Sequence, residues 1–133
     1  MGFPDEIHGD VDIVVQPKQI AQLNVFLCDF AKNRSIRIVQ VFQHEQVAWY
    51  YVFSWFEDNL KPKFLRIDIC GDYFWNGQFL ISANEILKDR IQKKSNTSKD
   101  TSFYTPTPEK AFIYYLIKKV LKQEVTLLSL IHI

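Results

Sequence analysis

Apolar and polar positions alternate strictly near the start of the chain. In Gly9-Asp10-Val11-Asp12-Ile13-Val14-Val15 the residues Val11, Ile13 and Val15 fall on one face of a strand, and Asp10 and Asp12 on the other. Pro17 then suits the first turn of a helix, where a missing N–H costs nothing. Ile20, Leu23, Leu27, Phe30 and Ala31 recur at helical spacing and predict an amphipathic helix over 17–33, ended by Asn33 and Ser35. Two β-branched and aromatic runs, 36–42 and 47–56, flank Gln43-His44-Glu45-Gln46 and predict an antiparallel hairpin with His44 and Glu45 at its tip. The second run is apolar on both faces, as in a central or covered strand, which places Trp49, Tyr50 and Tyr51 in the core. From Lys63 to Cys70 the alternation returns, with Leu65, Ile67 and Ile69 opposed to Phe64, Arg66, Asp68 and Cys70.

Beyond this strand the signals shorten. Gly71, Asn76 and Gly77 mark turns around Tyr73-Phe74-Trp75. Ser82-Ala83-Asn84-Glu85 has the form of a capping box and predicts a short helix to about Arg90. Residues 92–102 are rich in Lys, Ser, Thr and Asn without apolar periodicity, and are expected to form a mobile loop. Thr107 and Pro108 are an N-cap and first-turn pair that starts a helix to about Lys122, with Phe112, Ile113, Leu116, Ile117, Val120 and Leu121 on its apolar face. The final ten residues are rich in Val, Leu and Ile. They fit an extra element, a partner-facing segment such as a homodimer contact, or the point where a longer protein was cut.

Composition narrows the function classes. The 133 residues suffice for one domain with its own core, taken as 9–90 with the loop and helix appended. Sixteen basic and fifteen acidic residues leave a net charge of +1, which argues against a nucleic-acid backbone or an anionic membrane as partner. Cys28 and Cys70 show no metal-ligand spacing and read as buried free thiols of a cytoplasmic protein. No apolar run approaches the roughly 20 residues that span a bilayer.

The candidate chemistry lies in the acids. Like charges on one face of a short apolar strand repel, and each resists leaving water. A divalent cation or a solvated strand end removes the objection. Asp68 repeats the oddity in mid-strand. If its strand lies beside the first, Asp10, Asp12 and Asp68 converge at the edge of a mixed sheet. Three such carboxylates, with a nucleotide's phosphates completing the shell, suit Mg²⁺. Gly9 permits a tight turn or close backbone approach beside them. Asp72 reads as a turn residue, and Arg66 as a neighbour able to pair with Asp68. Lys118, Lys119 and Lys122 complement a helix C-terminus, Lys118 being also a candidate phosphate ligand.

Gly-Asp-Val-Asp-Ile-Val-Val followed by a helix, a hairpin and Phe-Leu-Arg-Ile-Asp-Ile-Cys resembles the nucleotidyltransferase superfamily with the polymerase-beta-like fold. Three segments, Val-Phe-Gln-His-Glu, Arg-Ile-Asp-Ile-Cys-Gly-Asp-Tyr and Pro-Thr-Pro-Glu-Lys-Ala-Phe-Ile-Tyr-Tyr-Leu-Ile-Lys-Lys, resemble nucleotidyltransferase-like proteins of bacterial polysaccharide gene clusters. The resemblance spans residues 3–123. It implies an α/β domain, a small mixed sheet with flanking helices and C-terminal helices packed on it. It implies Asp10, Asp12 and Asp68 as metal-holding catalytic residues and puts His44 and Glu45 in a segment with a substrate or acid–base role; Gly9 and Lys118 are the further candidates toward the nucleotide. The implied reaction is Mg²⁺-dependent transfer of a nucleotidyl group from a nucleoside triphosphate to a hydroxyl acceptor. The superfamily also carries a Gly-Gly or Gly-Ser turn about ten residues before its acid pair, where this chain offers Met1-Gly2. The expectations are therefore an upstream start, a differently built phosphate site, or a silent binding or regulatory domain.

Overall fold

The computed structural model describes residues 9–58, 61–95 and 101–131, the side chains of 122–131 excepted. It is the expected mixture of helices and strands and divides into two compact units, with the boundary after Tyr73.

The first unit is a four-stranded mixed sheet. Strand β1 (Asp10–Val14) leads through a 3-10 turn at Pro17–Gln19 into helix α1 (Ile20–Asn33), and β2 (Arg37–Glu45), β3 (Ala48–Phe56) and β4 (Pro62–Cys70) follow as a meander. The spatial order is β1-β4-β3-β2, with β1 parallel to β4 and the other pairs antiparallel. One sheet face is apolar because its strands alternate in step. Tyr51, Phe53, Ile67 and Ile69 are buried together with Leu27 and Ala31 of α1, and Ile13, Leu23, Ile38 and Trp49 pack around them. At the margin of this core the hydroxyl of buried Tyr51 donates to Oδ1 of half-buried Asn24 at 2.8 Å, so its polar atom is partnered. Gly71 closes the unit where space is short. Its N–H donates to the Val47 carbonyl at 2.7 Å, and a Cβ there would stand 3.2 Å from side-chain atoms of Pro17, Ile20 and Val47.

The second unit holds two small hairpins and two helices. Strand β5 (Tyr73–Trp75) pairs with β6 (Gln78–Ile81) across Asn76-Gly77, both in the left-handed region as a two-residue turn requires. Phe74 and Phe79 meet edge to face at 5.7 Å. Helix α2 (Ala83–Leu87) is capped as its sequence predicts, the Ser82 hydroxyl accepting from the Glu85 N–H at 3.1 Å. Strands β7 (Ile91–Lys94) and β8 (Ser102–Thr105) pair antiparallel, and Arg90 lies over the Tyr104 ring. Helix α3 (Pro108–Ile131) begins with Thr107 Oγ1 accepting from the Lys110 N–H. The Lys110 ammonium donates to Glu85 Oε1, a contact that lowers the Glu85 pKa and raises that of Lys110.

Several expectations need correcting. Residues 92–94 and 102 are strand rather than loop, because Ile91, Phe103 and Tyr104 supply enough apolar surface for a short ladder; 96–100 lie outside the described residues. The capped helix stops at Leu87, where Lys88 turns extended and Asp89 takes a positive φ, three residues before Arg90. The last helix does not end near Lys122 but continues to Ile131. The homodimer contact expected of the final ten residues falls on side chains outside the described residues. Cys28 is exposed, on the outer side of α1, and only Cys70 is buried.

Candidate functional site

The register of β1 against β4 decides the position of the acids. Asp12 stands directly opposite Asp68 and Asp10 opposite Arg66, in parallel neighbours whose facing residues share a side of the sheet. Val11, Ile13, Ile67 and Ile69 take the side of α1. Asp10, Asp12, Arg66 and Asp68 therefore take the other, for the reason that the alternation already implies. Asp10 and Asp12 are exposed and Asp68 is half-buried. Gly9 precedes them at φ +94°, with nothing among the described residues within 4 Å of a notional Cβ, so the backbone enters β1 through a conformation that favours glycine.

The polar face continues across the sheet. Tyr50 of β3 stands opposite Asp68, and its hydroxyl reaches toward Asp10 Oδ1 at 3.5 Å. Partial burial raises the Tyr50 pKa above the ordinary phenol value, and the Asp10 carboxylate raises it further by disfavouring a phenolate. Phe42 of β2 stands opposite Tyr50. His44 lies edge-on to both, 4.6 Å from the Phe42 ring and 6.2 Å from that of Tyr50. It sits in β2 as an extra residue that skips the ladder, rather than at the hairpin tip. Lys118 belongs to the second unit, on α3, with its ammonium 5.3 Å from the centre of the Tyr114 ring.

Of the residues singled out from the sequence, the fold thus gathers Asp10, Asp12 and Asp68 on one face, with Gly9 beside them and His44 two strands from Asp68 and three from Asp10 and Asp12. Tyr50 and Phe42 were missed as members of this face. Strand β3 is apolar on both sides, so parity alone does not tell that Tyr50 looks outward, and the two register shifts in β2 break the simple alternation around Phe42; the pairing with Asp68 through Tyr50 settles both.

The donor set is all oxygen, two carboxylates on one rung and a third one step along, which is the ligand type a hard divalent cation takes. Among the described residues no three His, Cys, Asp or Glu side chains are drawn together as a ready-made metal centre. Comparison with family models, with curated proteins and with solved structures returns no match. No helix among the described residues is long and apolar enough to cross a membrane.

Proposed function

We propose that the chain is a nucleotidyltransferase-like protein that moves a nucleotidyl group from a nucleoside triphosphate to a hydroxyl acceptor. The observation that carries the reading is the rung formed by Asp12 and Asp68, with Asp10 on the same exposed face. Three acids on one face of the sheet, opposite its apolar side, repel one another, and a divalent cation between them would offset that repulsion. Asp10, Asp12 and Asp68 are the residues that hold Mg²⁺, which when bound supplies Lewis acidity toward phosphate oxygens. Tyr50 steadies Asp10 through its hydroxyl. In the transfer the acceptor oxygen bonds to the α-phosphorus, the bond from that phosphorus to the bridging oxygen breaks, and pyrophosphate leaves. The hydroxyl proton passes to a carboxylate of the face. The two free thiols support a reducing, cytoplasmic setting.

Calorimetric titration with Mg²⁺ and each nucleoside triphosphate tests the reading, repeated on Asp10→Ala and Asp68→Ala. Binding heat in the unaltered protein that disappears in both variants is the expected result. Absence of heat with every triphosphate overturns it and leaves a binding or regulatory domain.

A further inference from the structure

Strand β2 ends the sheet, and among the described residues no strand lies beyond it. It is nine residues long and carries no proline or lysine, and Val39, Val41 and Phe42 are 54%, 46% and 51% exposed. Soluble proteins ordinarily blunt such an edge with lysine, proline, short length or bulges, since its unpaired backbone groups are a template for another strand; of these β2 has only its two bulges. Its charges are Arg37 at the first position and Glu45 at the last.

The pairing with β3 reveals a symmetry. Val39 and His44 are extra residues, each skipping the ladder. The remaining positions run Arg37, Ile38, Gln40, Val41, Phe42, Gln43 and Glu45, with Val41 at the centre. Arg37, Gln40, Phe42 and Glu45 pair with Ser54, Val52, Tyr50 and Ala48, all of one parity in β3, so they share the carboxylate face. Ile38, Val41 and Gln43 take the opposite face. Turned end for end about Val41, the strand meets itself with Arg37 against Glu45, Ile38 against Gln43, Gln40 against Phe42, and Val41 against Val41. Each such pair lies on one face, as antiparallel partners must. Each half also carries one bulge, so two copies stay in step to their ends.

We infer that β2 is a self-complementary edge on which a second copy of this chain pairs antiparallel, about a two-fold axis at Val41. The interface is isologous, so the Arg37–Glu45 contact occurs twice and a single substitution acts twice. Two four-stranded sheets then join into one of eight strands. The charge pairs fix register, while the exposed Val41 and Phe42 supply apolar contact. This inference is independent of the proposed enzymatic function.

Sedimentation velocity of the full chain across the micromolar range tests it. The unaltered protein is expected to show a concentration-dependent dimer. Arg37→Glu and Glu45→Arg should each weaken it about tenfold by setting like charges across the axis twice, and the double variant should restore it. Val41→Lys, with far-UV circular dichroism unchanged, should leave monomer. A monomer at every concentration overturns the inference, as does a dimer indifferent to the charge reversals. A dimer abolished by removing residues 124–133 but insensitive to Val41→Lys overturns it too and assigns association to the end of α3. So does a monomer that instead binds an unrelated extended peptide along β2.

Discussion

The rung between Asp12 and Asp68 has a measurable energy. Adjacent strands lie ~4.8 Å apart, and facing residues of β1 and β4 point the same way, so the two carboxylates approach within about 5 Å. Two unit charges at that separation repel by about 1 kcal/mol at the dielectric constant of water and about 3 kcal/mol at an effective value of 20. Because Asp12 is exposed and Asp68 half-buried, the lower figure applies, about 1 kcal/mol. A double-mutant cycle with Asp12→Asn and Asp68→Asn isolates this pairwise part whatever else each side chain touches. Either single variant removes the repulsion, and the double removes it only once. In urea denaturation with chelator at low ionic strength, the summed single effects should overstate the stability of the double variant by about 1 kcal/mol. Additivity within about 0.3 kcal/mol, or a coupling of attractive sign, would refute the reasoning. Saturating Mg²⁺ supplies a second readout. If both acids hold the ion, each single variant forfeits the same stabilisation and the coupling changes sign; if Mg²⁺ leaves it untouched, the metal reading fails while the repulsion stands.

Other consequences are open to direct measurement. Tyr51→Phe, which strips the hydroxyl from Asn24 at the margin of the core, should cost about 1–2 kcal/mol in chemical denaturation with little change in the m-value. Gly71→Ala should cost about 1–3 kcal/mol by crowding Pro17, Ile20 and Val47, whereas a neutral result in the same assay would show that these side chains can give way. Tyr50 should titrate above the ordinary phenol range in ultraviolet difference spectra against Tyr50→Phe, and Asp10→Asn should bring it down. Since its folded pKa is raised, the stability it contributes is present below about pH 10 and is lost as pH rises through the folded value.

Where one face of an element is apolar and the other is not, the sequence was readable. Val11 and Ile13 against Asp10 and Asp12, Ile67 and Ile69 against Arg66 and Asp68, and the helical spacing from Ile20 to Ala31 each predicted an element close to its observed bounds. The capping residues Ser82 and Thr107 were legible because their chemistry is local. Adjacency was not. Nothing within β1 states that β4 rather than β2 lies beside it, since strand order arises from how α1 covers the sheet. Tyr50 was assigned to the core because β3 offers no polar face to contradict it. Strands β7 and β8 were missed for a different reason: four residues each, in a lysine-rich context, give too short an alternation to stand out.

The parallel pairing of β1 also orders the folding of the molecule. Strands β2, β3 and β4 meet through short connections, whereas β1 must await a partner 56 positions further on, from residue 12 to residue 68. Loop closure over that distance is slow, and it brings the acids together only at its end. Within this sheet β1 is thus expected to dock after the β2–β3–β4 meander, so that the electrostatic penalty falls on a late step rather than on the nucleus.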